Sequence, residues 1–134
     1  MNYKEFLETG NALLNNQPTP ISLLANASAF LNEVLTSMNW IGFYIYDGQT
    51  LNVGPFQGKV ACATIELGKG VCGEAAKQNQ TRYVEDVLSY QNHIACDANS
   101  RSEVVVPMYV NNKLYGVFDI DSPMVNRFDQ ELIN

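Results

Sequence analysis

The chain has 134 residues, 46% apolar and 16% charged, which excludes a disordered chain and suffices for a single domain that buries roughly two-thirds of its unfolded surface without disulfide staples. Eight basic residues against fourteen acidic ones leave a net charge of −6, which repels phosphate backbones and argues against nucleic acid as a partner. No run of about 18 apolar residues offers a membrane span. The start Met1-Asn2-Tyr3-Lys4-Glu5 also lacks the basic-then-apolar pattern of a secretory signal, so the expected location is cytoplasmic, where thiols stay reduced.

Taken in chain order, Tyr3, Phe6, Leu7, Leu13 and Leu14 recur at helical spacing. A linker with Pro18 and Pro20 follows, and Thr19 is placed to cap a second helix with Pro20 in its first turn. Leu23, Leu24, Ala27, Phe30, Leu31, Val34, Leu35 and Met38 then form a one-faced apolar stripe, which predicts a helix packed on the core. From Trp40 to Tyr46 the texture is aromatic and β-branched, Asp47-Gly48 reads as a hairpin turn, and a short strand over 51–53 is ended by Gly54-Pro55. Residues 60–67 read as another strand, 68–73 as a tight glycine loop, 74–78 as a short helix and 82–85 as a strand. The stretch 86–102 is long and irregular, the kind of loop that in a compact domain serves function. Residues 103–110 and 113–121 predict a hairpin across Asn111-Asn112, and 127–134 begin a helix capped by Asp129. Helices followed by consecutive antiparallel strands make the fold class α+β.

The residues with chemistry are three cysteines and three acids. Asp119 and Asp121 alternate with Phe118 and Ile120, so both carboxylates share one face of an apolar strand. Such a pair reads either as a pocket for an amine or a proton-donating acid, or as a solvated strand end with Asp121 capping the turn into Ser122-Pro123. Glu103 joins that face if the last hairpin has a three-residue loop and leaves it if the loop has two residues. Convergence of all three would raise at least one pKa and supply a general acid near neutral pH.

Cys62 lies in the strand-like run 60–64, Cys72 in Gly68-Lys69-Gly70-Val71-Cys72-Gly73, and Cys96 in the polar loop His93-Ile94-Ala95-Cys96-Asp97. An odd number of cysteines in a reducing compartment points to redox chemistry, catalysis, metal or a small buried side chain. The glycine loop fits neither the dinucleotide fingerprint nor the P-loop and serves a tight turn. Cys72 would lie near a helix N-terminus, so local physics makes it the reactive thiol. Arg101 could favour a Cys96 thiolate, and His93 could pair with Cys96 as in a hydrolase or simply order the loop. A zinc site from Cys62, Cys72, His93 and Cys96 is a further reading, without the short spacings of a zinc knuckle.

At these residues the chain resembles the free methionine-(R)-sulfoxide reductases, which are built on a GAF domain. The resemblance is carried by Asn39-Trp40-Ile41-Gly42-Phe43-Tyr44, Gly54-Pro55-Phe56-Gln57-Gly58-Lys59, the glycine loop through Gly73, and His93-Ile94-Ala95-Cys96-Asp97. Ser102-Glu103-Val104-Val105-Val106-Pro107 and Gly116-Val117-Phe118-Asp119-Ile120-Asp121-Ser122 complete it. It implies a GAF-like six-stranded antiparallel sheet, with N-terminal and C-terminal helices on one face and a ligand pocket on the other. It also implies that Cys96 is the nucleophile, Cys62 the resolving thiol and Cys72 auxiliary, against the local reading of Cys72. Glu103, Asp119 and Asp121 would bind the substrate ammonium group and help protonate the sulfoxide oxygen, with Trp40 and Tyr44 around the methyl sulfoxide. No cofactor or metal is implied, and thioredoxin or a similar dithiol would be the reductant. The implied C-terminal helix is longer than 127–134 allow, which predicts an exposed apolar face or a compensating homodimer contact through Leu23, Phe30 and Leu31. The competing reading is a non-catalytic GAF sensor whose cysteines report oxidation.

Overall fold

The computed structural model describes residues 3–92 and 99–128, without the side chains of Tyr3, Phe6 and Leu13. The order of elements is α1 (Tyr3–Leu14), α2 (Pro20–Val34), β1 (Trp40–Tyr46), β2 (Thr50–Gly58), β3 (Thr64–Glu66), α3 (Gly70–Gln78), β4 (Arg82–Val84), a 3-10 turn (Val87–Ser89), β5 (Ser102–Val110) and β6 (Lys113–Ser122). The six strands form one sheet in the order β3-β2-β1-β6-β5-β4, with every neighbouring pair antiparallel.

Alternation along the strands divides the core in two. Ile41, Val104 and Ile120 point to one face, where Leu31, Val34 and Leu35 from the end of α2 pack on them together with Phe128. Trp40, Tyr44, Val105 and Val117 point to the other face, beneath Val71, Cys72, Ala75 and Ala76 of α3. The N-terminal helices therefore back the sheet, and α3 roofs its opposite side. Thr19 caps α2 as its sequence predicts, its hydroxyl accepting from the Ser22 N–H at 3.1 Å with Pro20 behind it. Helix α2 stops at Val34, and Met38 reaches the same core from the non-helical link to β1. Phe30 is buried beside Gly10 of α1, and Leu31 packs on the sheet. Of the three residues expected to offer a dimer contact, Leu23 is the exposed one.

Two bulges depart from the sequence reading. Strand β2 does not end at Gly54-Pro55 but runs on to Gly58. Gly42 pairs with Phe56 and Tyr44 with Val53, so Gly54 and Pro55 together oppose Phe43, and proline needs no ladder hydrogen bond there. This same bulge shortens the next strand. Pairing of β3 covers Asn52↔Thr64 to Thr50↔Glu66, and the Val53 N–H still reaches the Ala63 carbonyl at 2.9 Å. Beyond it the β2 edge has no regular donors, so residues 60–63 form a connection with Val60 90% exposed, not the expected strand. Cys62 thus sits in a link between strands.

The second bulge settles the last hairpin. Asn111 and Asn112 form a two-residue turn with φ of 52° and 64°, the all-positive form that suits a twisted hairpin. A two-residue turn was expected to point Glu103 away from the acidic pair. The pairing, however, shifts between Tyr109↔Leu114 and Met108↔Gly116, leaving Tyr115 as an extra residue. That residue flips the register of everything beyond it, and Glu103 comes to lie opposite Asp121.

Helix α3 starts at Gly70, four residues before the expected position, so Cys72 is in its first turn. Gly73 allows α3 to lie against the end of β3, since a Cβ there would run into the Glu66 carbonyl oxygen. The helix expected over 127–134 falls mostly outside the described residues; Arg127 and Phe128 are not helical.

Ile41 is fully buried at the centre of the α2-side core. Ile41→Ala is expected to destabilise the fold by about 2–5 kcal/mol, read from the denaturant midpoint. A loss below about 1 kcal/mol would mean that this core collapses around the gap.

Candidate functional site

The site grows from β6. Val117, Asp119 and Asp121 share the α3-facing side, with Tyr44, Gly42 and Trp40 of β1 opposite them in that order. On the other flank Val105 and Glu103 of β5 oppose Asp119 and Asp121. The bulge at Tyr115 and the ladder thus gather Glu103, Asp119 and Asp121 on one patch of sheet, and all three are buried, at 7%, 5% and 8% exposure. The expectation of convergence holds, and the solvated strand end does not.

Aromatic rings wall this patch on the β1 side. Gly42 leaves a slot into which Phe56 leans, since a Cβ at Gly42 would meet the Phe56 Cβ. Phe56 stacks on Trp40 with ring centres 5.0 Å apart, and Trp40 on Tyr44 at 5.7 Å. The polar ends of these rings hold the 59–63 link. Trp40 Nε1 donates to the Lys59 carbonyl at 3.2 Å, and the Tyr44 hydroxyl donates to the Cys62 carbonyl at 2.9 Å. The Cys62 backbone is consequently tied to the aromatic wall. Cys62 is half-buried and disulfide-bonded.

Cys72 enters from above. Its Sγ lies 4.0 Å from Glu103 Oε2, and it is a free, buried thiol. The local reading gave it a depressed pKa at the N-terminus of α3. Burial instead pushes its pKa well up, and the neighbouring Asp119, Glu103 and Asp121 add to the rise. A helix terminus contributes typically 0.3–1 kcal/mol near its first turn, too little against dehydration and three acids. Cys72 is a protonated thiol, not the activated one.

The carboxyl groups perturb one another in the same way. Glu103 holds its proton far more tightly than usual because it is buried and because Asp119 is beside it. Asp119 is raised for the same first reason and by the charge of Asp121. No salt bridge to Glu103 or Asp119 occurs among the described residues. Tyr44 is raised as well, by burial first and then by the charges of Cys72 and the acids. It remains a neutral hydroxyl donor.

Cys96 and His93 lie outside the described residues, but both flanks of their segment are described. On the upstream side Asn92 Nδ2 donates to the Gly68 carbonyl at 3.1 Å and to Glu74 Oε2 at 3.0 Å, while the Tyr90 hydroxyl donates to Glu74 Oε1 at 2.5 Å. Arg82 meets the same Glu74 at 3.2 Å. On the downstream side Arg101 pairs with Asp86 at 3.2 Å and its N–H donates to the Ser122 carbonyl at 2.7 Å. The Arg101 guanidinium expected to favour a Cys96 thiolate is therefore engaged with Asp86. Among the described residues the metal-capable neighbours of Cys72 are Glu103 and Asp119; His93 and Cys96 of the zinc set considered from sequence lie outside the described residues. Phe56 and the Glu74 network had no assigned role in the sequence reading. Phe56 sits inside the motif Gly54-Pro55-Phe56, and only its cross-strand position opposite Gly42 reveals its part.

Comparison with known proteins agrees with this arrangement. The family model for the GAF domain matches residues 20–134. The chain is 48% identical over 129 residues to the free methionine-R-sulfoxide reductase of Escherichia coli (strain K12), covering 96% of this chain and 78% of that protein. Among solved structures, fRMsr of Staphylococcus aureus in complex with substrate superposes with a TM-score of 0.92 at 44% identity, covering 98% of this chain and 86% of the other. The free methionine-R-sulfoxide reductase of Neisseria meningitidis in complex with its substrate gives 0.91 at 38%, covering 96% and 77%. With its three cysteines, its acidic patch and its curled six-stranded sheet, this chain belongs to the free methionine-R-sulfoxide reductase family of GAF-domain proteins.

Proposed function

We propose that this chain reduces free L-methionine-(R)-sulfoxide to methionine. The observation that carries the reading is the burial of Glu103, Asp119 and Asp121 together beside an aromatic wall. Such a hollow suits a substrate that brings its own cation. A free amino acid carries an ammonium group, and a methionine within a peptide does not. The apolar rings of Trp40, Tyr44 and Phe56 supply a surface for the methyl sulfoxide end.

The chemistry follows in three steps. The Cys96 thiolate attacks the sulfoxide sulfur while a protonated carboxyl, from Glu103 or Asp119, gives its proton to the departing oxygen. The protonated oxygen then bonds to the Cys96 sulfur as the sulfur–sulfur bond breaks and its electron pair goes to the substrate sulfur, so methionine leaves and Cys96 becomes a sulfenic acid. The Cys62 thiol then condenses with it, releasing water and forming a disulfide. A dithiol donor such as thioredoxin returns both sulfurs to thiols and is itself oxidised. The Cys62–Cys96 pairing is supported by the disulfide on Cys62 and by the free state of buried Cys72, in a chain with three cysteines. The need for a dithiol donor suits a cytoplasmic setting. Cys72 supports the acidic patch as an auxiliary thiol next to Glu103.

The deciding assay follows NADPH with thioredoxin, thioredoxin reductase and each sulfoxide epimer. Consumption with the free R form alone is expected; thiol oxidation without turnover would instead indicate a sensor. Cys96→Ser is expected to abolish turnover, and full activity in that variant would remove Cys96 from the nucleophile role. Asp121→Asn is expected to raise KM for the free amino acid about ten- to hundredfold, since charge-assisted hydrogen bonds contribute roughly 1.5–3 kcal/mol. Unchanged KM and kcat would remove the ammonium role.

The raised acids also make stability depend on pH. The native state binds protons on Glu103 and Asp119 more tightly than the unfolded chain does. Their contribution to stability is therefore fully present below the unfolded pKa near 4 and is lost as pH rises toward the raised native values. Without substrate, the melting temperature is expected to drop between pH 5 and pH 8. Glu103→Gln should flatten that slope while lowering kcat by about 10²–10⁴, the usual contribution of a general acid. An unchanged slope would show that Glu103 does not carry the extra proton.

A further inference from the structure

The acidic hollow contains a donor that an ammonium group does not need. Ammonium is met by oxygen acceptors, and a thiol is a weak one. Yet one donor atom each from Cys72, Glu103 and Asp119 lies within 4.8 Å of the others, and all three residues are buried. The Cys72 sulfur is 4.0 Å from Glu103 Oε2. Asp119 is only 5% exposed, and its Oδ1 has no hydrogen-bond partner among the described residues.

We propose that Cys72, Glu103 and Asp119 form a binding site for a borderline divalent cation, Zn²⁺ above all, that competes with the substrate ammonium group for the same carboxyls. Zinc bonds of about 2.3 Å to sulfur and 2.0–2.2 Å to carboxylate oxygen set tetrahedral ligands roughly 3.3–3.7 Å apart. From separations within 4.8 Å the three donors need to close by up to about 1.5 Å, within the reach of side-chain torsions. One sulfur and two oxygens favour zinc over magnesium or calcium, which take oxygen ligands. A fourth position stays open to water. On binding, the Cys72 S–H bond and the O–H bond of each carboxyl that still holds a proton break, sulfur–zinc and oxygen–zinc bonds form, and every released proton goes to solvent. No electron is transferred, and zinc stays divalent.

The two occupants exclude each other because they use the same oxygens. Zinc then closes the hollow to an amino acid, and a high concentration of substrate reopens it. Competition rests on the function proposed above, whereas metal binding rests on the three side chains alone. The two are separable by experiment.

Metal-free protein with the Cys62 disulfide intact is titrated with Co²⁺, a spectroscopic stand-in for zinc. A near-ultraviolet thiolate-to-cobalt band is expected, saturating at about one equivalent and bleached by Zn²⁺. Cys72→Ser should lose the band. Glu103→Gln should keep it but bind at least about tenfold more weakly. Absence of the band in the parent protein, or its survival in Cys72→Ser, would overturn the site. Added free methionine sulfoxide should move the Co²⁺ midpoint upward; an unmoved midpoint would overturn the competition. The band needs no turnover, so a chain inactive as a reductase would still report on the metal.

Discussion

Three carboxyl groups lie buried within reach of one another on the α3-facing side of the sheet, and no lysine or arginine salt-bridges Glu103 or Asp119 among the described residues. Moving even one carboxylate out of water costs several kcal/mol. The hollow meets this cost by keeping protons, as the raised pKa values of Glu103 and Asp119 show. Under the proposed reaction the same retained proton is the one offered to the leaving oxygen, so the cost of burying the patch and its proposed chemistry would have one origin.

The same burial decides between the thiols. Cys72 has the location that sequence logic associates with activation, the first turn of a helix. The surrounding acids reverse that logic, because a thiolate there would be a fourth negative charge in a dehydrated space. Thiol chemistry that begins with a thiolate is consequently better placed on a sulfur outside the hollow. In the proposed reaction these electrostatics would keep the acid, which needs a raised pKa, apart from the nucleophile, which needs a lowered one.

Local signals in the sequence anticipated local structure. Strand β1, the Thr19 cap with Pro20, the one-faced stripe of α2 and the Asn111-Asn112 turn all follow from a few neighbouring residues. The departures come from cross-strand events. Gly54-Pro55 reads as a stop in one dimension and becomes a bulge once Phe43 lies opposite. Tyr115 looks like any strand residue, yet its omission from the pairing decides whether Glu103 meets Asp121. The shortened β3 depends on which β2 residues it can pair with, from Thr50 to Asn52, and that is a cross-strand matter too. Cys72 is the one thiol for which local sequence logic and the surroundings disagree, because the acids that raise its pKa come from other strands. Phe56 and the Glu74 network became visible only when strand order and the α3 contacts were known.

A redox site that makes and breaks a disulfide has to move one sulfur without loosening its framework. In this fold the ladders that carry the acids are long and continuous, β5 and β6 pairing from Ser102↔Ser122 to Val110↔Lys113. Cys62, by contrast, sits in a link with no strand pairing of its own, held by hydrogen bonds from Trp40 to the Lys59 carbonyl and from Tyr44 to its own carbonyl. The backbone anchor is thus attached to the aromatic wall, and the sulfur is left to a side chain with one torsion. Asn92 and Tyr90 fasten one flank of the 93–98 segment to α3, and Arg101 fastens the other to Asp86 and β6. The Cys62 backbone is thus anchored on the aromatic wall while the acids are carried by the paired strands β5 and β6, so the two parts of the site rest on separate supports.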